Sequence, residues 1–231
     1  MNSWRRFKQW LTNGFDIIAA SIKSLAGDPL AWESAIRKFE ASDRLKPPPL
    51  NAFVFTGSSS ITFWSTLEQD MNPLPVINRG FGGSRLDDVV HYAPRLVVAY
   101  RPRAVVLFAG TNDIAGSKPK TAQEVYKGYR AFVDVVHAAL PDTPIYYISI
   151  TPAPSRWKHW PIVQEANRLI CAHAAADPRL HFIDLTDVIL GPDGKPDRSL
   201  FRIDRLHPNK KGYTLWTARI KPILLADLKS A

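Results

Sequence analysis

From Asn51 onward the sequence switches repeatedly between two hydrophobic periods, and this alternation constrains the fold more than any other feature. Short runs rich in β-branched and aromatic residues occupy 53–56, 76–78, 104–108, 145–150 and 180–183. The segments between them place apolar residues at helical spacing. One such segment opens on Thr121 and Glu124, spaced as a capping box, and carries Val125, Tyr129, Phe132, Val133, Val136 and Leu140 until Pro141 ends it. Pro161 opens another through Ala166, Leu169, Ile170 and Ala174, and a last helix begins near Lys210 with Leu215, Trp216, Ile220, Ile223 and Leu224. No hairpin signal separates the strands. Strand and helix in turn therefore predict an α/β fold: a three-layer α/β/α sandwich on a mostly parallel, five-stranded, flavodoxin-like sheet.

The alternation starts only after residue 50, which divides the chain into an N-terminal helical extension with a proline spacer (1–50) and an α/β domain (51–231). Within the extension Trp4, Phe7, Leu11, Phe15, Ile18, Ile22 and Leu25 form one apolar helical stripe that Gly27 and Pro29 should stop. Such a stripe docks on the domain or on a second copy of the chain. The alternative is attachment to a membrane surface, with Arg5, Arg6 and Lys8 facing the headgroups. Asn13, Gly14 and Asp16 interrupt the apolar stretch too early for a standard secretory signal, and no run reaches the ~18–20 apolar residues of a membrane span. The expectation is a cytoplasmic location. A second short helix, with Trp32, Ala35, Ile36 and Phe39 on one side, leads into Pro47-Pro48-Pro49.

Composition excludes some chemistries. Cys171 is the only cysteine of the 231 residues, so there is no internal disulfide and no multi-cysteine zinc site; its mid-helix position among apolar residues predicts burial. No metal-ligand motif and no cofactor fingerprint is visible: Gly80-Phe81-Gly82-Gly83 lacks dinucleotide spacing and follows the second run. The net charge of +9 is dispersed, without a nucleic-acid recognition motif.

In open parallel sheets ligands bind beyond the carboxyl ends of the strands. There the chain places Thr56-Gly57-Ser58-Ser59-Ser60, then Arg79-Gly80-Phe81-Gly82-Gly83-Ser84, then Gly110-Thr111-Asn112-Asp113, and after the fifth run Asp204-Arg205-Leu206-His207-Pro208. Together these supply a serine, backbone N–H donors, a carboxamide, a carboxylate and an imidazole. A serine hydroxyl becomes a competent nucleophile when an imidazole accepts its proton, and the imidazole needs an acceptor on Nδ1 to hold the useful tautomer. Asp-x-x-His occurs three times. Asp88/His91 and Asp134/His137 fall in helical segments, where residues three apart commonly form a solvated ion pair. Asp204/His207 differs, because Pro208 disfavours helix at His207 and puts the pair in a loop. His159, His173 and His181 lack such an aspartate and read as surface or packing residues.

These four ordered blocks resemble those of the SGNH subgroup of GDSL-type hydrolases, over a region running from about Phe53 to the C-terminal helix. The resemblance implies that Ser59 is the nucleophile, Ser60 being the alternative, with His207 and Asp204 completing a triad. It implies an oxyanion hole made of the Ser59 and Gly83 N–H groups and the Asn112 amide. Ser58 and Ser84 stand where the family usually has aspartate. The implied activity is hydrolysis of short-chain acyl or acetyl esters, of small molecules or carbohydrates, through an acyl-enzyme. An acyltransferase using the same intermediate, or a non-catalytic binding module, shares the scaffold. Trp157, Trp160, Arg156, Arg85 and Arg205 are the substrate-pocket candidates, and Arg79 and Lys158 join them as cations expected on the crevice rim.

Overall fold

The computed structural model describes residues 30–116 and 118–229, with positions 19, 20, 22, 23 and 28 ahead of them. Of the predicted N-terminal stripe only Ile22 lies among these, and it is exposed; the remainder of that helix lies outside the described residues.

The five predicted runs form five strands: β1 (Phe53–Gly57), β2 (Val76–Gly80), β3 (Ala104–Phe108), β4 (Ile145–Ile148) and β5 (Leu180–Ile183). They make one sheet of order β2-β1-β3-β4-β5 in which every pairing is parallel. From Glu33 onward, nine α-helices among the described residues connect and flank them: α1 (Glu33–Leu45), α2 (Ser59–Thr62), α3 (Leu67–Met71), α4 (Leu86–Leu96), α5 (Thr111–Ile114), α6 (Ala122–Ala139), α7 (Trp160–Ala174), α8 (Thr186–Ile189) and α9 (Lys210–Lys229). The Thr121/Glu124 box caps α6 as read, the Thr121 N–H donating to Glu124 Oε2 at 2.8 Å and Thr121 Oγ1 accepting from the Glu124 N–H.

Side chains alternate across a strand, so each strand feeds both layers. Val54, Val105, Leu107, Ile145 and Tyr147 point into a core shared with α1, α4, α6 and α7. Phe53, Phe55, Val106, Phe108, Tyr146 and Ile148 point into a second core under α2, α3, α8 and α9, where Trp64, Tyr213 and Trp216 pack ring against ring. Burial on both faces explains why the strands read as continuous apolar runs rather than as alternating ones.

The helix before the proline spacer belongs to the first core. Trp32 and Ile36 are buried, and Trp32 meets Phe81 edge-on at 5.7 Å between centroids. Glu33 and Glu40 both pair with Arg95 of α4. Asp43 accepts from Arg79, whose guanidinium lies between the rings of Phe39 and Tyr100. Arg79 is thus buried beneath α1 and is not a rim cation.

Two further expectations change. Cys171 is exposed: α7 buries Val163, Ala166, Asn167, Ile170 and Ala174, and Cys171 lies one step round the helix from that stripe. Asp88 is buried at the start of α4, accepting the Arg85 N–H at 2.8 Å, rather than sharing a solvated pair with His91. Among the described residues no helix is long and apolar enough to cross a membrane.

Candidate active site

The order of the sheet reverses at β1, which leaves a crevice beyond the carboxyl ends of β1 and β3, and the turn after β1 lies in it. Gly57 has φ +121°, and a Cβ there would fall 2.0 Å from the Phe108 carbonyl oxygen, so only glycine fits. The turn is pinned on both sides: Ser58 N–H donates to Phe108 O and Phe81 N–H donates to Gly57 O, each at 2.9 Å. Of the three serines, Ser58 is the buried, extended residue before α2, and Ser60 is buried with its carbonyl accepting from Tyr213 Oη at 2.8 Å. Ser59 is the serine whose Oγ lies 2.7 Å from His207 Nε2.

The loop ahead of α9 holds the imidazole. Asp204 Oδ1 accepts the Leu206 and His207 N–H groups at 2.9 and 3.0 Å, an Asx turn that fixes the carboxylate. Its Oδ2 lies 2.7 Å from His207 Nδ1. Burial works to raise the Asp204 pKa, but the hydrogen bonds from the His207 ring and from the two backbone N–H groups outweigh it and hold the carboxyl below its ordinary value. An ionised carboxylate only accepts, so Nδ1 carries the proton and Nε2 is left to accept from the Ser59 hydroxyl. Burial lowers the His207 pKa; the Asp204 carboxylate opposes this, and the Arg202 and Arg156 charges add to the lowering. Phe63 stands edge-on to the imidazole at 4.8 Å, and Arg202 lies over Phe63 while donating to the Phe63 and Pro208 carbonyls.

The loop after β2 approaches from the other side. Gly83 has φ +84°, and the Ser59 and Gly83 N–H groups have no hydrogen-bond acceptor among the described residues. Asn112, in the first turn of α5, donates one amide hydrogen to Ser84 O at 3.0 Å; its second is available to a ligand. Ser58, Ser59, Ser60, Asn112, Thr111, Thr151, Ala153, Phe108 and Leu206 line a depression of about 300 Å³, open solvent included. Sharing Thr111, Thr151 and Ala153 with it is a second, more apolar depression of about 280 Å³, which Trp157, Trp160 and Arg156 line. The two tryptophans stack on each other at 5.8 Å.

Arg85 and Arg205 line neither depression. Arg85 is turned to Asp113 and to the Lys118 carbonyl. Arg205 is an exposed residue at φ +56° whose carbonyl accepts the Ser155 N–H and hydroxyl.

Several supports of the site were not visible in the sequence. Asn78 donates to Ile61 O at 2.7 Å and accepts the Gly80 N–H, tying α2 to β2. Asn167 holds both the N–H and the C=O of Ile150 at the end of β4. Asp113, fully buried, accepts the Leu86 N–H and pairs with Lys120 at 3.0 Å; desolvation raises its pKa, against which the Lys120 charge acts. Phe63 alone left a signal, because it is four residues after Ser59 and so shares its helix face.

The chain is similar to known proteins in sequence and in fold. The family description "GDSL-like Lipase/Acylhydrolase family" matches residues 54–215 of the chain. The platelet-activating factor acetylhydrolase IB subunit alpha1 of Homo sapiens is 29% identical over 215 residues, covering 88% of this chain and 87% of that one. The Bos taurus protein of the same name is also 29% identical, with 88% and 86% covered. Among solved structures, a GDSL-like lipase from Bacteroides thetaiotaomicron superposes with a TM-score of 0.70 at 20% identity, over 85% of this chain and 98% of that one. A carbohydrate esterase family 3 protein from Talaromyces cellulolyticus gives 0.61 at 17% identity, over 78% and 99%. With a serine at the switch point of a five-stranded parallel sheet and a family match spanning most of its length, the chain belongs to the GDSL-like lipase/acylhydrolase family.

Proposed function

We propose that the protein is a serine esterase that hydrolyses short-chain acyl esters, acetyl esters foremost, through an acyl-enzyme on Ser59. The observation that carries this reading is the unbroken chain Asp204–His207–Ser59, with both side-chain links at 2.7 Å, at the edge of a depression that Asn112 also lines.

Ser59 Oγ attacks the ester carbonyl while His207 Nε2 takes its proton. The negative charge that develops on the carbonyl oxygen is met by the Ser59 and Gly83 N–H groups and the Asn112 amide. Each such donor contributes on the order of 10²- to 10³-fold to turnover. Collapse of the tetrahedral intermediate expels the alcohol, which His207 protonates. A water then attacks the acyl-enzyme with His207 as base, and the carboxylic acid leaves. Asp204 stays ionised throughout, holding the imidazole and stabilising the imidazolium.

Size supports short chains. Once open solvent is set aside, each depression has room for little more than a water-sized group, so neither is a deep pocket for a long acyl chain. The mammalian relatives are named as acetylhydrolases and the Talaromyces structure as a carbohydrate esterase, which agrees with an acetyl or other short acyl group on a small-molecule or sugar alcohol. A series of nitrophenyl esters tests the reading: kcat/KM should peak between acetate and butyrate and fall for octanoate and longer. A steady rise with chain length would contradict it.

A further inference from the structure

Arg156 is the exception among the arginines of this fold. Among the described residues, every other arginine that is buried or half-buried has an acceptor: Arg79 has Asp43, Arg95 has Glu33 and Glu40, Arg103 has Asp227, and Arg202 has two carbonyls. The remaining three, Arg85, Arg179 and Arg219, are likewise paired. Arg156 is half-buried, with its Nε shielded from solvent and without a hydrogen-bond partner. A guanidinium N–H withdrawn from water without an acceptor is costly. The cost is offset when an anion binds, because the planar fork suits carboxylate, phosphate and sulfate.

Its surroundings extend the point. Arg156 lines the apolar depression formed by Ile114, Ile150, Trp157, Trp160 and Val163, which adjoins that of Ser59. No aspartate or glutamate lines either depression. The segment is held in place, not free: Arg156 N–H donates to Ala153 O at 2.9 Å. Ser155 donates through both its N–H and its hydroxyl, each at 3.0 Å, to Arg205 O, in the loop that carries Asp204 and His207. The Arg156 charge is also felt at the His207 ring, which puts the cation within electrostatic range of the reacting centre.

We infer that Arg156 is an anion-recognising residue, and that the preferred substrates are esters whose apolar portion carries a carboxylate, phosphate or sulfate group into this second depression. The inference rests on the esterase reading above and narrows its substrate class. The anion is on the alcohol or on the acyl side of the ester, and the test separates the two.

Two matched pairs of esters serve: phenyl acetate against 4-acetoxybenzoate, with the anion on the alcohol, and nitrophenyl butyrate against nitrophenyl hemisuccinate, with the anion on the acyl group. kcat/KM is measured for the wild type, Arg156→Gln and Arg156→Lys. Comparing the anionic-to-neutral ratio of each variant with that of the wild type cancels the intrinsic reactivity of the esters. The ratio should drop about ten- to a hundred-fold in Arg156→Gln for one pair, mainly through KM, as expected for a charged hydrogen bond. Arg156→Lys should retain part of it, and covers the case in which the glutamine variant fails to fold. The pair that responds identifies the side of the ester. A ratio unchanged by both substitutions in both pairs overturns the inference, and Ser59-dependent turnover of phenyl acetate would then leave the esterase reading standing. Absence of turnover with every ester would overturn both.

Discussion

Replacing Asp204 with asparagine should abolish most turnover while leaving the fold untouched, and the reason is set by the backbone. Asp204 Oδ1 accepts the Leu206 and His207 N–H groups, and Oδ2 faces His207 Nδ1. In the variant the amide oxygen must stay on the two N–H groups, because turning it would set the NH₂ group against two donors and lose two hydrogen bonds of about 1 kcal/mol each. The NH₂ group therefore points at Nδ1 and donates to it. The imidazole is driven to the tautomer protonated at Nε2, which donates toward Ser59 Oγ instead of accepting from it. A preference of about 2 kcal/mol leaves roughly one ring in thirty in the productive tautomer. Loss of the carboxylate that stabilises the imidazolium accounts for the remainder. The expected fall in kcat is about 10³- to 10⁴-fold, read with nitrophenyl acetate on protein whose circular dichroism and melting temperature match the wild type. A loss smaller than ten-fold would refute the tautomer argument.

Two further outcomes follow from the same geometry. Burial lowers the His207 pKa below its ordinary 6.5, and only the neutral ring can take the Ser59 proton; kcat/KM should therefore hold as pH falls from 7 and decline with a midpoint under 6.5. A midpoint at or above 7 would show that Asp204 dominates the desolvation. Asn167→Asp replaces the amide hydrogen given to the buried Ile150 carbonyl with a carboxylate oxygen, stranding an acceptor at a cost of about 1–3 kcal/mol and adding a buried charge. Urea unfolding should show at least that loss, and a change under about 0.5 kcal/mol would mean that the end of β4 does not depend on this clamp.

What the sequence could reveal followed from the range of the interactions involved. Strand runs, the Thr121 cap and the Pro161 helix start are written in residues within a few positions of one another, and the structure repeats them almost residue for residue. The GDSL-type blocks were legible because each is a short contiguous string at a strand end. The choice between Ser59 and Ser60 was open, and the structure turns Ser59 to His207 because Ser60 is buried under Tyr213, a residue 153 positions away. The supporting roles of Asn78, Asp113 and Asn167 are not legible for a related reason: each holds a backbone group 17 or more positions distant, and a buried asparagine looks like a loop residue until that partner is known. The rim charge was overstated on the same account. Arg79 lies at the carboxyl end of β2 and Arg85 just beyond it, but their acceptors, Asp43 and Asp113, come from other elements and draw them away from the crevice.

The central claim is that Ser59, and no other serine of Ser58-Ser59-Ser60, attacks the substrate. Intact protein treated with a fluorophosphonate and analysed by mass spectrometry tests it most directly. The account predicts one stoichiometric adduct on the peptide containing Ser59, absent in Ser59→Ala, which should also lose nearly all ester hydrolysis. An adduct that persists in Ser59→Ala, or turnover that survives in it, would contradict the account.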